Sequence, residues 1–280
     1  MLRPLLIVLL GCFSFGDLIA DNGPIGARSS AMGGASATLS DVWSVQNNQA
    51  GMGFLKSPVF GAYYENRFLL KQLSTSAFVA AVPVKKGTFG LTYTGFGYSA
   101  YKETKLGLAY GMALSENFSV GLQLDYLNTR IADIYGKANA ITGEIGFQGK
   151  LSKNVIVAAH VYNPSRAKIT NYNNEIIPMQ MRLGIQYIFS EKVFILAEAE
   201  KGSYSRINFK GGIEYLPAKD IYIRAGGASN PAQASFGLGV NMKGLKCDIS
   251  SAYHSILGFS PQIGLSFSLG KTKVPEEKPE

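Results

Sequence analysis

The sequence has 280 residues, of which 46% are hydrophobic and only 16% charged, and it contains 32 glycines and 15 tyrosines. This composition favours an all-β protein, and beyond the N-terminus no apolar run reaches the length of about 18 residues that a transmembrane helix requires. The net charge is +8, but lysine and arginine are interleaved with acidic residues along the chain, so no nucleic-acid partner is expected.

Residues 1–20 are predicted to form a secretory signal peptide, with an apolar core at 5–10 and a cleavage position at Ala20. A loose lipoprotein box around Cys12 is the alternative. Once Cys12 is removed with the signal, Cys247 stands alone, which excludes a disulfide within one chain and a zinc site built on cysteines.

The next segment, residues 21–56, is rich in small residues and shows no alternation of apolar and polar positions. It contains a backbone break at Gly33 and Gly34. Because the segment is too apolar for a flexible leader and too short for a domain, we expect it to fold into a barrel mouth as a plug, or hatch. Trp43, the only tryptophan, is expected to wedge this hatch against the wall.

From residue 57 onward, apolar side chains alternate one for one with polar or small ones, which is the pattern of a β-strand with one apolar and one polar face. The sequence predicts an all-β fold, a 14-stranded antiparallel transmembrane β-barrel that spans 57–270, preceded by the short N-terminal plug. The predicted strands are 57–66, 73–84, 87–97, 104–114, 118–130, 138–151, 154–162, 178–189, 193–201, 206–216, 220–228, 232–242, 245–254 and 261–270.

Connections after the even-numbered strands are uniformly short, and examples are the segments 115–117, 152–153 and 190–192. Short turns on one side and longer loops on the other are typical of outer-membrane barrels of Gram-negative bacteria, and this pattern predicts that both termini are periplasmic.

The last strand resembles a signal for the barrel-assembly machinery. Residues 271–280 are predicted to be a periplasmic tail. The excess of basic residues predicts contact with outer-membrane lipid or lipopolysaccharide, and the solubility of the turns alone is the alternative explanation.

Tyrosines near the predicted strand ends suggest an outward aromatic girdle at the membrane interface. The candidates are Tyr63, Tyr93, Tyr110, Tyr126, Tyr187 and Tyr215.

The hatch carries a recognisable motif. It reads G-A-R-S from residue 26, M-G-G-A from residue 32, an acidic position at 41, and N-Q-A-G from residue 48. The pattern resembles the hatch of the FadL family of outer-membrane proteins, especially its PorV/PorQ branch, in which proline stands where this chain has Gln49. The matching plug residues are Arg28, Met32, Gly33, Gly34, Asp41, Asn48, Ala50 and Gly51.

The resemblance implies two alternative functions. A PorV/PorQ-like protein is an accessory to protein secretion or surface assembly and binds a secretion-system protein. A FadL-like protein is a channel or carrier for a small hydrophobic or amphipathic molecule, and an inward kink in the third strand near Gly95 and Gly97 would favour this function. The longest loop, 163–177, has only four apolar residues to offer as a landing site: Ile169, Tyr172, Ile176 and Ile177.

Ionisable residues at inward positions of strands eight to eleven suggest a polar ladder across the lumen wall. These are Arg182, Glu198, Lys210, Glu214 and Arg224. A satisfied network that stiffens the barrel and a constriction that holds a ligand head group are both consistent with this pattern. Arg28 and Asp41 are expected to pair with lumen residues and tether the hatch.

The sequence gives no sign of an enzyme. His160 and His254 are the only histidines, and Asn163 and Ser165 near the first of them do not make a triad. No metal site and no cofactor are expected.

Overall fold

The computed structural model describes residues 23–131, 136–169 and 176–270. The predicted signal peptide and the tail after residue 270 lie outside these ranges. Among the described residues, no helix has the length and apolar character needed to cross a bilayer.

Fourteen antiparallel strands form one closed barrel, in which each strand pairs with its neighbours in sequence and the first pairs with the last. This confirms the predicted fold. The strands are β1 (Val59–Asn66), β2 (Ser74–Val84), β3 (Gly87–Gly97), β4 (Tyr101–Ala113), β5 (Phe118–Ile131), β6 (Lys137–Lys150), β7 (Val155–Tyr162), β8 (Gln180–Ser190), β9 (Val193–Gly202), β10 (Asn208–Ala218), β11 (Ile221–Ser229), β12 (Ala232–Met242), β13 (Leu245–His254) and β14 (Gly258–Ser268).

The alternation in the sequence corresponds to the two faces of the wall. In β5, Leu122 and Leu124 point outward and are about 60% exposed, whereas Gln123 and Asp125 point inward and are buried. The apolar parity faces outward in strand after strand, as a lipid-facing exterior requires. One girdle candidate is wrong, because Tyr63 faces inward beside the buried Glu65.

The serines that open the three short turns close them through side-chain hydrogen bonds. Ser115 Oγ accepts from the backbone amides of residues 117 and 118, and Ser152 Oγ accepts from those of residues 154 and 155. Ser190 Oγ accepts from the amide of Lys192. These are the local bonds by which serine favours turns. We call this rim of the barrel the turn end and the opposite rim the loop end.

Pairing between β10 and β11 shifts register between Tyr215 and Ala218. Pro217 lies in this interval and has no amide hydrogen to donate to the ladder, so the strand accommodates it at an irregularity. The sequence pattern placed the end of this strand at residue 216, before the proline.

Residues 23–56 lie inside the barrel. They form two short helices, α1 (Ala27–Ala31) and α2 (Ser44–Asn47), and a 3₁₀ helix, η1 (Gln49–Phe54). Most of their side chains are buried, including the apolar Met32, Val45 and Met52, none of which is exposed to solvent. Trp43 contacts Tyr63 of β1 edge to face, with ring centroids 6.0 Å apart.

The wall makes room for the hatch with glycine. A Cβ atom added at any of ten inward-facing glycines would lie against an atom of residues 27–53. They come from β1, β3 to β6, β8, β10 to β12 and β14, so they surround the hatch: Gly61, Gly90, Gly111, Gly121, Gly146, Gly184, Gly212, Gly226, Gly237 and Gly264. The hatch therefore fits into the wall by close backbone approach, and we call these residues the glycine ring.

Gly33 and Gly34 complete this fit from the hatch side. Their φ angles are 72° and 79°, in the left-handed region that glycine adopts without strain. The Gly33 amide donates to Ser235 Oγ at 2.8 Å, and a Cβ atom at Gly33 would collide with the Gly227 carbonyl.

The variant Gly226→Val places a side chain against the backbone of Met32 and Gly33, with an added Cβ colliding with the Met32 carbonyl carbon. We expect it to lower the free energy of unfolding by about 1–3 kcal/mol, as measured by denaturant titration of the folded barrel in detergent. Gly143→Val is the matched control, since an added Cβ at Gly143 has only the Gln123 carbonyl oxygen within reach, at 3.6 Å. Equal losses in both variants would contradict the role of the glycine ring.

Candidate functional site

Arg28 of α1 links the hatch to the wall. Its Nε and Nη2 donate to the two carboxylate oxygens of Glu214 on β10, both at 2.8 Å, and its Nη1 donates to Asp41 at 2.9 Å. Glu214 also accepts from Arg224 Nε at 2.5 Å, and Arg224 Nη1 donates to Asp248 at 2.7 Å. Positive and negative groups thus alternate from the hatch to β13. We call these five residues the hatch latch.

Burial by itself lowers the pKa of Arg28, but the neighbouring carboxylates of Glu214 and Asp41 outweigh it, and the pKa of the guanidinium lies above its ordinary value. The group therefore stays charged, and its bidentate bond to Glu214 is of the strong, directional type.

A second set of contacts holds the turn after α1. Glu198 Oε2 accepts from the backbone amides of Ser36 and Ala37 at 2.9 and 2.8 Å. Lys210 Nζ lies 2.6 Å from Glu200 and 3.8 Å from Glu198. A wall carboxylate thus satisfies hatch amides that would otherwise be buried without partners.

Arg182 does not continue the ladder through a carboxylate in the described part of the chain. Its Nη2 donates to the Asn47 carbonyl at 2.7 Å and to His160 Nδ1 at 2.9 Å, and its Nη1 lies 3.3 Å from Ser36 Oγ. Because a guanidinium only donates, His160 Nδ1 accepts and its Nε2 donates to Glu144 at 2.8 Å. The predicted ladder is therefore divided into three separate groups, each tied to the hatch.

Glu144 of β6 is the centre of the third group, and it lies outside the ladder that was predicted on strands eight to eleven. It accepts from Lys105 of β4, from His160, and from Gln49 Nε2 at 2.7 Å, and Asp125 lies 3.5 Å from the Lys105 ammonium. Gln49 is the residue that departs from the family pattern, and that departure was the available signal. Where proline would offer no polar side chain, glutamine reaches the wall.

The remaining plug residues shape the hatch backbone. Asn48 Oδ1 accepts from the Ala50 amide at 3.2 Å and begins η1, while its Nδ2 donates to the Ala37 carbonyl at 2.7 Å. A Cβ atom at Gly51 would meet the Leu39 carbonyl, and Met32 packs against Gly212.

The described residues that follow β7 and precede β8, 163–169 and 176–179, include side chains that are buried in the lumen at the loop end. The Asn163 amide donates to the Gly143 carbonyl at 2.8 Å and its Nδ2 donates to the Ile177 carbonyl at 2.8 Å. Ile169 and Ile177 are buried against inward side chains of β5, β6 and β7. They are therefore part of the lumen packing and unavailable as an exposed landing site. Tyr172 lies outside the described residues.

The third strand is paired on both sides at Gly95. Pairing continues without a register shift through Ser76 and Gly95 on one side and Gly95 and Thr104 on the other. Gly97 has a φ of 99°, but it is the last residue of β3, where the chain turns toward β4. The strand pairing therefore shows no interruption at Gly95, and the inward kink stays a prediction.

The outer face of β2 to β5 carries an open apolar groove of about 590 Å³. Its floor is formed by Gly90 and Ala109, which face inward and are paired across β3 and β4. On the inner side of the floor, Val45 and Met52 of the hatch pack against Gly90. The groove is lined by Ala80, Val82, Phe89, Gly90, Leu91, Leu108, Ala109, Tyr110, Leu122, Gln123 and Leu124.

No protein-family model matches this sequence, and no curated protein matches it either. Three solved structures share its fold over most of the chain. The Ralstonia pickettii toluene transporter TbuX is 12% identical, with 89% of this chain and 98% of that chain covered and a TM-score of 0.64. The CymD monoaromatic hydrocarbon channel is 14% identical, with 89% and 97% covered and a TM-score of 0.65.

A Pseudomonas aeruginosa FadL homologue is 14% identical, with 85% of this chain and 95% of that chain covered and a TM-score of 0.56. At these identities the likeness concerns the fold alone. The chain has the closed fourteen-stranded fold of FadL-type barrels.

The variant Arg28→Met removes the bond between the hatch and Glu214 while keeping an unbranched side chain that matches the stem of arginine. We expect a loss of about 3 kcal/mol from the free energy that holds the hatch in place, because a partly buried ion pair is broken on one side. Limited proteolysis should cut the hatch faster, and planar-bilayer conductance should rise. Arg206→Met, at an exposed position, is the control. Unchanged proteolysis in Arg28→Met would refute the latch.

Proposed function

We propose that this chain is an outer-membrane channel or carrier for small hydrophobic or amphipathic molecules. The observation that carries the proposal is the wall at Gly90. There a single layer of backbone, without a side chain, separates the lipid-facing groove from the apolar residues Val45 and Met52 of the hatch. An apolar molecule thus meets apolar surface on both sides of the wall at Gly90.

The hatch side of this region is apolar over a wider area. Val45 and Met52 belong to a buried cluster that includes Val79, Ala81 and Ala109 of the wall. The charged groups of the lumen, in contrast, lie mainly on β4 to β11 and β13, and Glu65 of β1 lies near the loop end of its strand. A molecule without hydrogen-bonding groups is therefore compatible with this sector of the lumen and would be penalised in the charged sectors.

The size of the groove is consistent with such molecules. Its volume of about 590 Å³ is several times the roughly 150 Å³ that suffices for an apolar cavity to bind benzene. The toluene transporter and the monoaromatic hydrocarbon channel that share the fold act on molecules of this class, which supports the proposal by analogy of fold.

Exposed apolar side chains at the loop end provide a place where such molecules would first bind. Leu69 and Leu70 follow β1, and Ile256 and Leu257 connect β13 to β14; Ile256 is 85% exposed. The two connections are adjacent, since Phe68 contacts His254 edge to face at 6.1 Å. We propose that this rim faces the exterior and that the turn end, with both termini, faces the periplasm.

The role as a secretion accessory, which the PorV/PorQ-like hatch motif suggested first, has no support from the three solved structures described above. We therefore prefer the channel or carrier function to the accessory function. Stoichiometric co-purification of a secretion-system protein, with no lipophilic ligand bound, would reverse that order.

Uptake of radiolabelled toluene by cells that express the protein tests the proposal. We expect faster uptake than in cells with an empty vector. Ala80→Trp fills the groove from its edge and should reduce the gain at least severalfold. Ala225→Trp is the matched control, because Ala225 faces outward on β11, away from the groove.

Two results would count against the proposal. Uptake equal to that of the empty vector would refute transport of this class of molecule. Uptake that is retained in full by Ala80→Trp would show that the groove is not on the route.

A further inference from the structure

Three positive side chains stand side by side on the outer face of the barrel at the loop end. Lys102 of β4 pairs in register with Arg130 of β5, and Arg130 pairs with Lys137 of β6. All three are exposed and share the parity of the outward apolar residues of their strands. We call Lys102, Arg130 and Lys137 the cationic row.

Below the cationic row, the outward residues of the same three strands form a polar row and then an apolar row. Two residues further from the rim, Thr104, Asn128 and Asn139 form a row of hydroxyl and amide groups. Two residues further again, Leu106, Tyr126 and Ile141 form an apolar row. With about 6.8 Å between successive rows, the outer face passes from charge to hydrocarbon within roughly 14 Å. The order is that of a lipid head group, its linkage region and its acyl chains.

The cationic row is unfavourable without a counter-ion. Like charges directly opposite each other on neighbouring strands destabilise a sheet. In the described ranges of the chain, no carboxylate lies within ion-pair distance of the three side chains. A bound anion would relieve the repulsion, and the planar guanidinium of Arg130 at the centre suits the geometry of a phosphate.

The opposite ends of the same strands have no such row. Near the turn end, the outward positions in register are Met112, Val120 and Phe147, all apolar. The stratified face is therefore specific to the leaflet at the loop end.

A hollow of about 180 Å³ adjoins the row at Lys102. Tyr64, Ser74, Ser76 and Tyr93 line it with hydroxyl groups, and Gly95 leaves the space open because it carries no side chain. Hydroxyl groups next to a phosphate-binding cation suit a sugar that carries phosphate better than a phosphodiester alone.

We propose that the cationic row and the hollow beside Lys102 bind the phosphorylated sugar head group of an outer-leaflet glycolipid of the lipopolysaccharide class. The acyl chains of the same lipid cover the apolar row at Leu106, Tyr126 and Ile141. The proposal does not depend on which molecule the barrel transports. In the cell, the site meets this lipid only if the loop end faces the exterior. Binding to the purified protein in detergent does not depend on the orientation of the barrel.

Titration of the purified protein in dodecyl maltoside with fluorescent diphosphoryl lipid A tests the site. The triple variant Lys102→Gln, Arg130→Gln, Lys137→Gln should bind at least tenfold more weakly, since each basic residue near an anionic surface contributes about 1 kcal/mol. The control triple variant is Lys85→Gln, Lys153→Gln, Lys192→Gln, which removes the same charge at the turn end. It should bind within twofold of the unchanged protein.

Arg130→Gln separates binding from folding. Without lipid, its thermal midpoint should equal or exceed that of the unchanged protein, because repulsion in the row is reduced. Its affinity for lipid A should fall. A lower midpoint with unchanged affinity would make the row structural and overturn the proposal.

Three further results would also overturn it. Equal weakening in both triple variants would show general charge attraction. Lipid A without phosphates that binds as tightly as diphosphoryl lipid A would exclude a phosphate site. Phosphatidylglycerol that binds as tightly as lipid A would exclude selection of a glycolipid.

Discussion

The interior volume of the barrel is the constraint on which the rest of the structure depends. Small barrels of about eight strands fill their interior with their own side chains, but larger ones leave a space that needs water or another part of the chain. Here residues 23–56 fill that space, and the glycines of the glycine ring leave room for them in the wall. The two parts are complementary surfaces, because side chains removed from the wall are replaced by those of the hatch.

This arrangement also explains why so many ionisable groups are tolerated inside. Each of the three charged groups in the lumen bonds at least one polar group of the hatch. In the hatch latch Glu214 binds Arg28, in the second group Glu198 binds the Ser36 amide, and in the third Glu144 binds the Gln49 side chain. Buried charge is unfavourable unless it is paired. The charges therefore hold the hatch in a single position, while the glycines only allow it to approach.

Much of the fold was predictable, because alternation with period two is set by the geometry of a strand and survives any detail of packing. All fourteen strands follow from it, and their ends differ by a few residues, mainly where turns or Pro217 interrupt the ladder. In β1, two adjacent tyrosines made the inward and outward positions hard to tell apart from the sequence: Tyr63 faces the hatch and Tyr64 faces outward. Which of two adjacent residues faces inward depends on how all the other side chains of the strand are distributed between the two faces.

The site was less predictable, since ion pairs depend on which strands and hatch residues meet. Inward parity identified Glu214 and Arg224, but their link to Arg28 crosses 186 residues of sequence. The glycine ring was visible in principle as glycine at inward positions, yet glycine in strands has several causes. Gly95, which the sequence suggested as a possible kink, lies beside an opening on the outer face.

The hatch joins β1 directly, with only residues 55–58 between η1 and the first strand. It also contacts both sides of the seam where β1 meets β14, at Gly61 and Gly264. The hatch is therefore an intramolecular ligand of the lumen, and its short tether gives it an effective concentration on the order of millimolar or higher. Any molecule that displaces it competes with a ligand that never diffuses away.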